Sequence, residues 1–488
     1  MDESTIKFKA LTSVIWKFME RIIAQTVSLV VSIIIARILT PEDYSVVSIV
    51  TIFFTFSNVL ISGGLNTALI QKKNAGIEDY STVFHISLIM SIIIYIILFF
   101  TAPIISLLYK QPILVPIIRI MGIILPINAV KSIWCAYISS HLQFKKFFFS
   151  TIGGTVVSAV VGIYMAVNGY GAWALVAQQM TNTTIDTLVL FISTRIKIMP
   201  KISASRFKRL FRYGWKVLLS STISTVYTEI NPFFIGLKYS SADLSYYTKG
   251  RSFPSLISTT TTNTLSAVLF PVLAKYQDNK NALLKYTRLF IRLTSFVAFP
   301  LMIGFFAISD NFISVILTDK WTPSVPYIKI FCIACMFDMI HIGNCETIKA
   351  MGRSDVYLIM EIIKKTGYFV IIGLFLLLSN SPEMLALSFI GCATIAIIVN
   401  SVPNKHLIGY KYGFQIMDLI PNLTISVVMG ICVALIGKLF SSPVTSLVVQ
   451  LITGFTVYVT LSIITRNSRF RYLLNMILKG ITSRKQRN

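Results

Sequence analysis

The sequence predicts an all-α polytopic membrane protein of about fourteen transmembrane helices, set as two pseudo-symmetric six-helix bundles plus two C-terminal helices. Three observations predict it. Hydrophobic residues make up 55% of the 488 and charged residues 13%, with a mean hydropathy of +0.75, whereas soluble domains are about 25% charged. Fourteen apolar stretches are long enough to cross a hydrocarbon core, which takes about 20 residues at 1.5 Å each. A pattern of residues at the first stretch also recurs at the seventh.

The predicted spans are 12–36, 43–64, 80–101, 113–137, 148–167, 173–194, 215–236, 253–273, 290–309, 324–348, 356–378, 384–402, 417–437 and 444–465. Short connections between them leave no room for a soluble domain on either side. The expected division is 1–200 for the first bundle, 201–410 for the second, and 411–488 for two more helices and a basic tail.

Span 1 carries the first functional signal. Lys17, Glu20, Arg21 and Gln25 lie in its first half, and Lys17, Arg21, Gln25, Ser28 and Ser32 follow one helical face. Charges in hydrocarbon are costly and face a bundle interior or a water-filled cavity. The stretch therefore predicts a polar cavity within the membrane. After it, Thr40-Pro41-Glu42-Asp43 reads as a helix stop and restart, with proline in the first turn and acids at the positive end of the new helix dipole.

In span 4, Arg119 and Lys131 lie near opposite ends and read as interfacial. Gly169-Tyr170-Gly171 is a tight hairpin between spans 5 and 6, and Tyr109, Trp134, Tyr137, Trp173 and Trp321 fit aromatic belts at span ends. The connection 195–216 is the most basic stretch and divides the first six spans from the rest.

The duplication shows on either side of it. Phe8-Lys9, Leu11 and Trp16-Lys17 recur as Phe207-Lys208, Leu210 and Trp215-Lys216, while Asp43 and Ser45 recur as Asp243 and Ser245. Parallel repeats of this kind are a recurrent transporter design. The repeat predicts a polar stripe in span 7, and Lys216, Ser220, Ser224, Thr228 and Asn231 supply one, with Glu229 beside it and Pro232 interrupting the helix. The expected cavity lies between the two bundles.

Further along, Asn263 and the Thr259–Thr262 run in span 8 are candidates to line the cavity. Span 10 carries Lys329, Asp338 and His341, and an Asp/His pair can relay protons or simply pair between helices. Glu361, Lys364 and Lys365 read as a solvated entrance to span 11. The candidate cavity residues are thus Lys17, Glu20, Arg21, Gln25, Lys216, Glu229, Asn231 and Asn263, and the candidates for ion coupling are Glu229, Asp338 and His341.

Charge distribution sets the orientation. With the N-terminus inside, the inner segments hold 30 of the 44 basic residues and the outer segments 7. This bias places both termini in the cytoplasm. It also ties the net charge of +25 to the anionic inner leaflet rather than to nucleic acid. No cleavable signal peptide is expected, since MDESTIKFKA is mixed in charge and the stretch after it is too long and polar. All six cysteines fall in apolar stretches, and Cys332 and Cys335, a lone CxxC pair, read as small apolar packing residues. With no nucleotide-binding loop, metal-ligand cluster or nucleophile elbow in the sequence, neither an enzyme nor a cofactor or metal is expected.

Several stretches carry a family likeness. They are Ala36-Arg37-Ile38-Leu39-Thr40-Pro41-Glu42-Asp43-Tyr44, Gly63-Gly64-Leu65-Asn66-Thr67-Ala68-Leu69-Ile70-Gln71-Lys72, Gly169-Tyr170-Gly171-Ala172-Trp173-Ala174-Leu175-Val176, Tyr246-Tyr247-Thr248-Lys249-Gly250-Arg251 and Phe270-Pro271-Val272-Leu273-Ala274-Lys275. Together they resemble the Wzx-like polysaccharide branch of the multidrug/oligosaccharidyl-lipid/polysaccharide flippase superfamily, close to its teichuronic-acid and colanic-acid exporters. Ser45 stands where that family usually has glycine.

The resemblance implies a flippase that moves undecaprenyl-diphosphate-linked oligosaccharide repeat units across the bacterial inner membrane, for O-antigen, capsule or a related polysaccharide. Its partners would be the lipid-linked oligosaccharide, membrane lipids, polysaccharide polymerase or other assembly proteins, and H⁺ or Na⁺ as a coupling ion. On this reading Lys17 and Arg21 meet the diphosphate, since a guanidinium presents a two-pronged donor to phosphate oxygens. The rival within the superfamily is a multidrug or metabolite cation antiporter, whose cavity would favour acids over cations. Rivals of other classes are a membrane polysaccharide polymerase, which would carry a large outer loop, an acyltransferase, and a scaffold for the assembly machinery, which would need no buried charges.

Overall fold

The computed structural model describes residues 3–471 apart from 73, 74, 142, 195 and 468; within its helices the side chains of 3–15, 18, 264, 265, 267, 268, 270, 271, 338, 339 and 354 lie outside the description. Phe8, Lys9 and Leu11 of the repeat, Phe270-Pro271 of the family motif and the Asp338 side chain fall among these. The described residues are helical, with no strand. The chain divides into two compact units, Met1–Ser245 and Tyr246–Asn488.

The helices of the first unit are α1 (Glu3–Ile38), α2 (Pro41–Ser62), α3 (Leu65–Gln71), α4 (Ile77–Tyr109), α5 (Leu114–Met121), α6 (Ile124–Ser140), α7 (Phe144–Val167), α8 (Ala172–Thr194) and α9 (Ala204–Lys238). The boundary to the second unit falls in α10 (Ser241–Lys275). There follow α11 (Lys280–Ile316), a 3-10 turn (Asp319–Ser324), α12 (Val325–Ala350), α13 (Ser354–Leu378), α14 (Pro382–Leu407), α15 (Tyr412–Gly437) and α16 (Pro443–Ile464). Each of the fourteen predicted spans falls on one long helix, except span 4, which is split between α5 and α6.

Ten of these segments are long and apolar enough to cross a membrane among the described residues. The long helices that fall short are α8, α9, α10 and α13, and their sequences say why. Gln178, Gln179, Asn182 and Asp186 interrupt α8, Lys216 and Glu229 interrupt α9, the Thr259–Thr262 run and Asn263 α10, and Glu361, Lys364 and Lys365 α13. A helix that turns polar groups inward loses average apolarity without losing its span.

Local chemistry fixes the turns. Thr40 caps α2: its hydroxyl accepts from the Asp43 amide (3.3 Å), and the Asp43 carboxylate takes the Thr40 amide (3.0 Å). Pro41 occupies the first turn, where no amide is needed. The same reciprocal cap recurs at α10, where Ser240 and Asp243 exchange bonds of 3.1 and 3.2 Å. The repeated Asp43 and Asp243 are therefore equivalent in their local bonding as well as in sequence.

In the first unit α1 packs on α7 and α7 on α8, while α9 packs on α2, α3 and α4. Glycines permit the closest approaches. A Cβ on Gly154 would stand 2.9 Å from the Asn182 carbonyl, and one on Gly64 would stand 2.2 Å from the Gly214 carbonyl of α9. The basic connection is fastened to the start of α4. Ser81 accepts the Met199 amide (2.9 Å), Thr82 the Ser203 amide (3.3 Å), and the buried Asp79 carboxylate holds Lys72 (2.6 Å) and Arg206 (3.3 Å).

In the second unit α11 packs on α12, α15 and α16, and α14 on α12 and α13. Hydrogen-bonded polar side chains tie these helices. Asn344 donates to Gln415 (3.1 Å), Asn404 to Asn344 (2.8 Å) and Ser401 to Gln415 (2.9 Å). Asp418 of α15 receives Arg288 through two bonds (2.8 and 2.9 Å), Arg292 and Tyr410. With no water in hydrocarbon, such groups must satisfy one another inside the protein.

Two readings of the sequence are corrected here. Trp134, Trp321 and Tyr109 are packed inside the units rather than placed as interfacial belts; Trp134 sits in a core with Leu69, Tyr80 and Ile133. Lys364 is buried, paired to Glu361 at 2.5 Å, and is not part of a solvated entrance. Both errors share a cause, because nearness to a span end says nothing about which way a side chain faces.

Candidate transport site

The charged half of α1 is carried against α7. The ammonium of Lys17 lies 2.6 Å from Glu20 and 4.8 Å from the centre of the Phe147 ring. Glu20 is buried and also accepts a bond from Thr151 of α7 (3.2 Å). Trp16 anchors the same contact edge-on to Phe148 at 5.0 Å. Arg21 is exposed and makes no ion pair or side-chain hydrogen bond with the described residues; Gln25 is half-buried. Lower on the stripe, Ser28 lines a cavity of about 330 Å³ with Thr155, Ser158, Gln178 and Asn182.

A larger polar cavity lies among α2, α3 and α6. It measures about 610 Å³ and is lined by Thr55, Asn58, Asn66, Asn128, Lys131 and Ser132, with Asn128 donating to Asn58 at 3.2 Å. Lys131 is not an interfacial cation. Its ammonium lies 2.5 Å from Asp186 of α8, a residue the sequence reading passed over. Cys135, one turn from Lys131, also lines the cavity. The signal for Asp186 was present in the sequence: it is the single acid of span 6 and follows the polar run Gln178-Gln179-Met180-Thr181-Asn182-Thr183-Thr184.

Arg119 stacks over Phe99, 4.4 Å from the ring centre, instead of reaching outward. On α9, Lys216 is exposed, Glu229 half-buried, and Asn231 fully buried beside Pro232. Lys17 and Lys216 thus stand on helices with different packing partners, α7 for the first and α2, α3 and α4 for the second.

The second unit holds a cavity of another character. It measures about 720 Å³ and lies among α11, α12, α15 and α16, with walls of Met302, Phe306, Met336, Val427, Ile431 and Ala434. Its polar end has Lys329 paired to Asp310 at 2.8 Å, together with Asn311, Lys438 and Gln450. His341 contacts the side chain of Asn400 at 3.0 Å. Asn263 is exposed on α10. No group of three or more His, Cys, Asp or Glu suited to a metal occurs among the described residues.

Ten membrane-length segments among the described residues, enclosing hydroxyls, amides and a compensated cation, define a multi-pass membrane protein. The chain belongs to the polysaccharide biosynthesis protein family, whose model matches residues 34–326. It is 22% identical to the succinoglycan biosynthesis transport protein ExoT of Rhizobium meliloti, over 91% of this chain and 90% of that one. It is 21% identical to the teichuronic acid biosynthesis protein TuaB of Bacillus subtilis, over 73% of this chain and 73% of that one. Among solved structures it shares the fold of the lipid II flippase MurJ in an inward closed conformation, with a TM-score of 0.77, 17% identity, and coverage of 94% of this chain and 99% of that one.

Proposed function

We propose that this protein is a flippase that translocates undecaprenyl-diphosphate-linked oligosaccharide repeat units across the bacterial inner membrane by alternating access, with both termini in the cytoplasm. The cargo serves O-antigen, capsule or a related polysaccharide. The polar cavity of the first unit carries this reading. Its hydroxyl and amide side chains match sugar hydroxyls, and Lys131 supplies a positive charge suited to phosphate. Family membership and relatives named for polysaccharide transport support it. The apolar cavity of the second unit is of the right chemistry for an isoprenoid chain. A cargo for a cation antiporter would call for free acids instead, and here Glu20 and Asp186 are both committed to lysines.

On this reading Lys17, Arg21, Gln25 and Lys216 meet the head group during loading, and Glu229, Asn231 and Asn263 face it along its path. An inside-negative potential favours outward movement of an anion by about 2.3 kcal/mol per charge per 100 mV. Counter-transport of H⁺ or Na⁺ through Glu229, Asp338 or His341 would add to the drive. Polymerase and other assembly proteins are the partners that would take the product.

Deletion of the gene should cause lipid-linked repeat units to accumulate on the cytoplasmic face, and their glycan would identify the cargo. Normal polymer with no accumulated intermediate would overturn the proposal. Arg21→Ala, expressed at the normal level, should restore polymer poorly; full restoration removes Arg21 from the site. Flipping in proteoliposomes that ignores both ion gradients would remove the coupling ion and leave the flippase.

A further inference from the structure

The first unit holds a cation whose counter-ion is weakly secured. Lys131 faces the polar cavity, and its side chain keeps 28% of its exposure while that of Asp186 keeps 8%. One oxygen of Asp186, Oδ2, meets the ammonium at 2.5 Å. The other, Oδ1, is buried and accepts no hydrogen bond from the described residues. Buried carboxylates normally satisfy both oxygens with several donors, as Asp418 does with Arg288, Arg292 and Tyr410. Among the described residues, Lys131 is therefore the one ion-pair partner of the Asp186 carboxylate.

The surrounding charges sharpen the point. Lys17 and Glu20, the charged pair of α1, neutralise each other, and Glu20 has a further bond from Thr151. The four charges sum to zero. The remaining cavity groups, Thr55, Asn58, Asn128 and Ser132, are neutral. An anion entering this cavity meets one cation that faces it, compensated by one carboxylate with an unsatisfied oxygen.

We propose that Lys131 takes a phosphate oxygen of the cargo head group, and that Asp186 is its counter-ion in the empty cavity, displaced when the head group binds. This rests on the flippase reading and names the contact within it. Carriers need binding strong enough to load and weak enough to release. Competition from Asp186 sets that balance, because the cargo gains Lys131 only at the expense of an existing ion pair.

The test uses the purified full-length protein in detergent, with undecaprenyl diphosphate as probe and uncharged undecaprenol as control, read by native mass spectrometry. Wild type should prefer the diphosphate. Asp186→Asn frees Lys131 and should bind the diphosphate about tenfold more tightly, the equivalent of one ion-pair increment, while turning over more slowly in proteoliposomes. Lys131→Gln should reduce the preference for diphosphate over alcohol about tenfold, leaving the share due to the α1 and α9 cations. Because either single change breaks a buried pair, Lys131→Gln/Asp186→Asn serves as the uncharged control: it should melt close to wild type and still show the reduced preference.

A double variant with the wild-type preference would overturn the role of Lys131 while leaving the flippase reading intact. Unchanged or weaker binding by a folded Asp186→Asn would overturn the displacement. A wild type that shows no preference for the diphosphate would overturn the flippase reading itself.

Discussion

Lys249 illustrates what burial does to a charge in this fold. It precedes the apolar part of α10, lies 93% buried in the second unit and stands 5.6 Å from the centre of the Trp321 ring. Loss of hydration pulls its ammonium down from 10.5 to about 8. Between these two values the unfolded chain binds more protons than the folded one, so folding stability rises with pH across that window. The melting temperature of wild type relative to Lys249→Met should therefore climb from pH 8 to 10.5, in thermal unfolding at constant salt. A flat difference would show that Lys249 is not charged differently in the two states. The sequence marked Lys249 as a basic residue of an outer connection and as part of the family motif Tyr246-Tyr247-Thr248-Lys249-Gly250-Arg251. Its burial comes from neighbours more than seventy positions away, which no local pattern reports.

Helix ends and close helix contacts were more legible than side-chain directions. Thr40-Pro41-Glu42-Asp43 reads as a stop and restart, and the observed cap uses those residues for that purpose. Gly169 and Gly171, read as a tight hairpin, both adopt positive φ (78° and 54°), and a Cβ on Gly171 would stand 2.8 Å from Asp43. The hairpin is thus packed against the cap of α2. Gly64 shows what the sequence concealed. Its φ of 68° favours glycine, but the tighter demand is the α9 carbonyl of Gly214, 2.2 Å from where a Cβ would lie. Gly64→Ala should cost roughly 2–4 kcal/mol by combining backbone strain with overpacking. The expected readout is a lower melting temperature, and a variant that melts like wild type would show that α3 and α9 can separate freely.

The order of the long helices followed from hydropathy, but the described residues hold sixteen α-helices against fourteen predicted spans, because the short α3 was not foreseen and span 4 divides into α5 and α6. The polar residues of α9, α10 and α13 were read there too, whereas the polar run of α8, which also keeps it below the apolarity of the other ten membrane segments, was passed over. The strong bias of basic residues to one side predicts cytoplasmic termini. Alkaline phosphatase fused after Asn488 should be inactive, and a fluorescent protein at the same place bright. The reverse pair of results would invert the orientation and place the charged half of α1 on the outer side. Of the predicted cavity, the α1 stripe led to Lys17, Glu20 and Ser28, which the fold sets against α7 and α8. The larger cavity next to it was not foreseen, because its lining comes from three helices that each contribute only a few small polar residues.

Membrane residence, the order of the long helices, the repeated cap and the family likeness are all properties of contiguous residues. Hydropathy, capping and motif order act over one or two helical turns, so the chain alone states them. Which charges meet is another matter. Lys131 was paired with Asp186, and Asp418 with Arg288 and Arg292, by how separate helices are rotated and seated against one another. An ion pair depends on a few ångströms between helices far apart in sequence, and the sum of packing over each unit sets that distance.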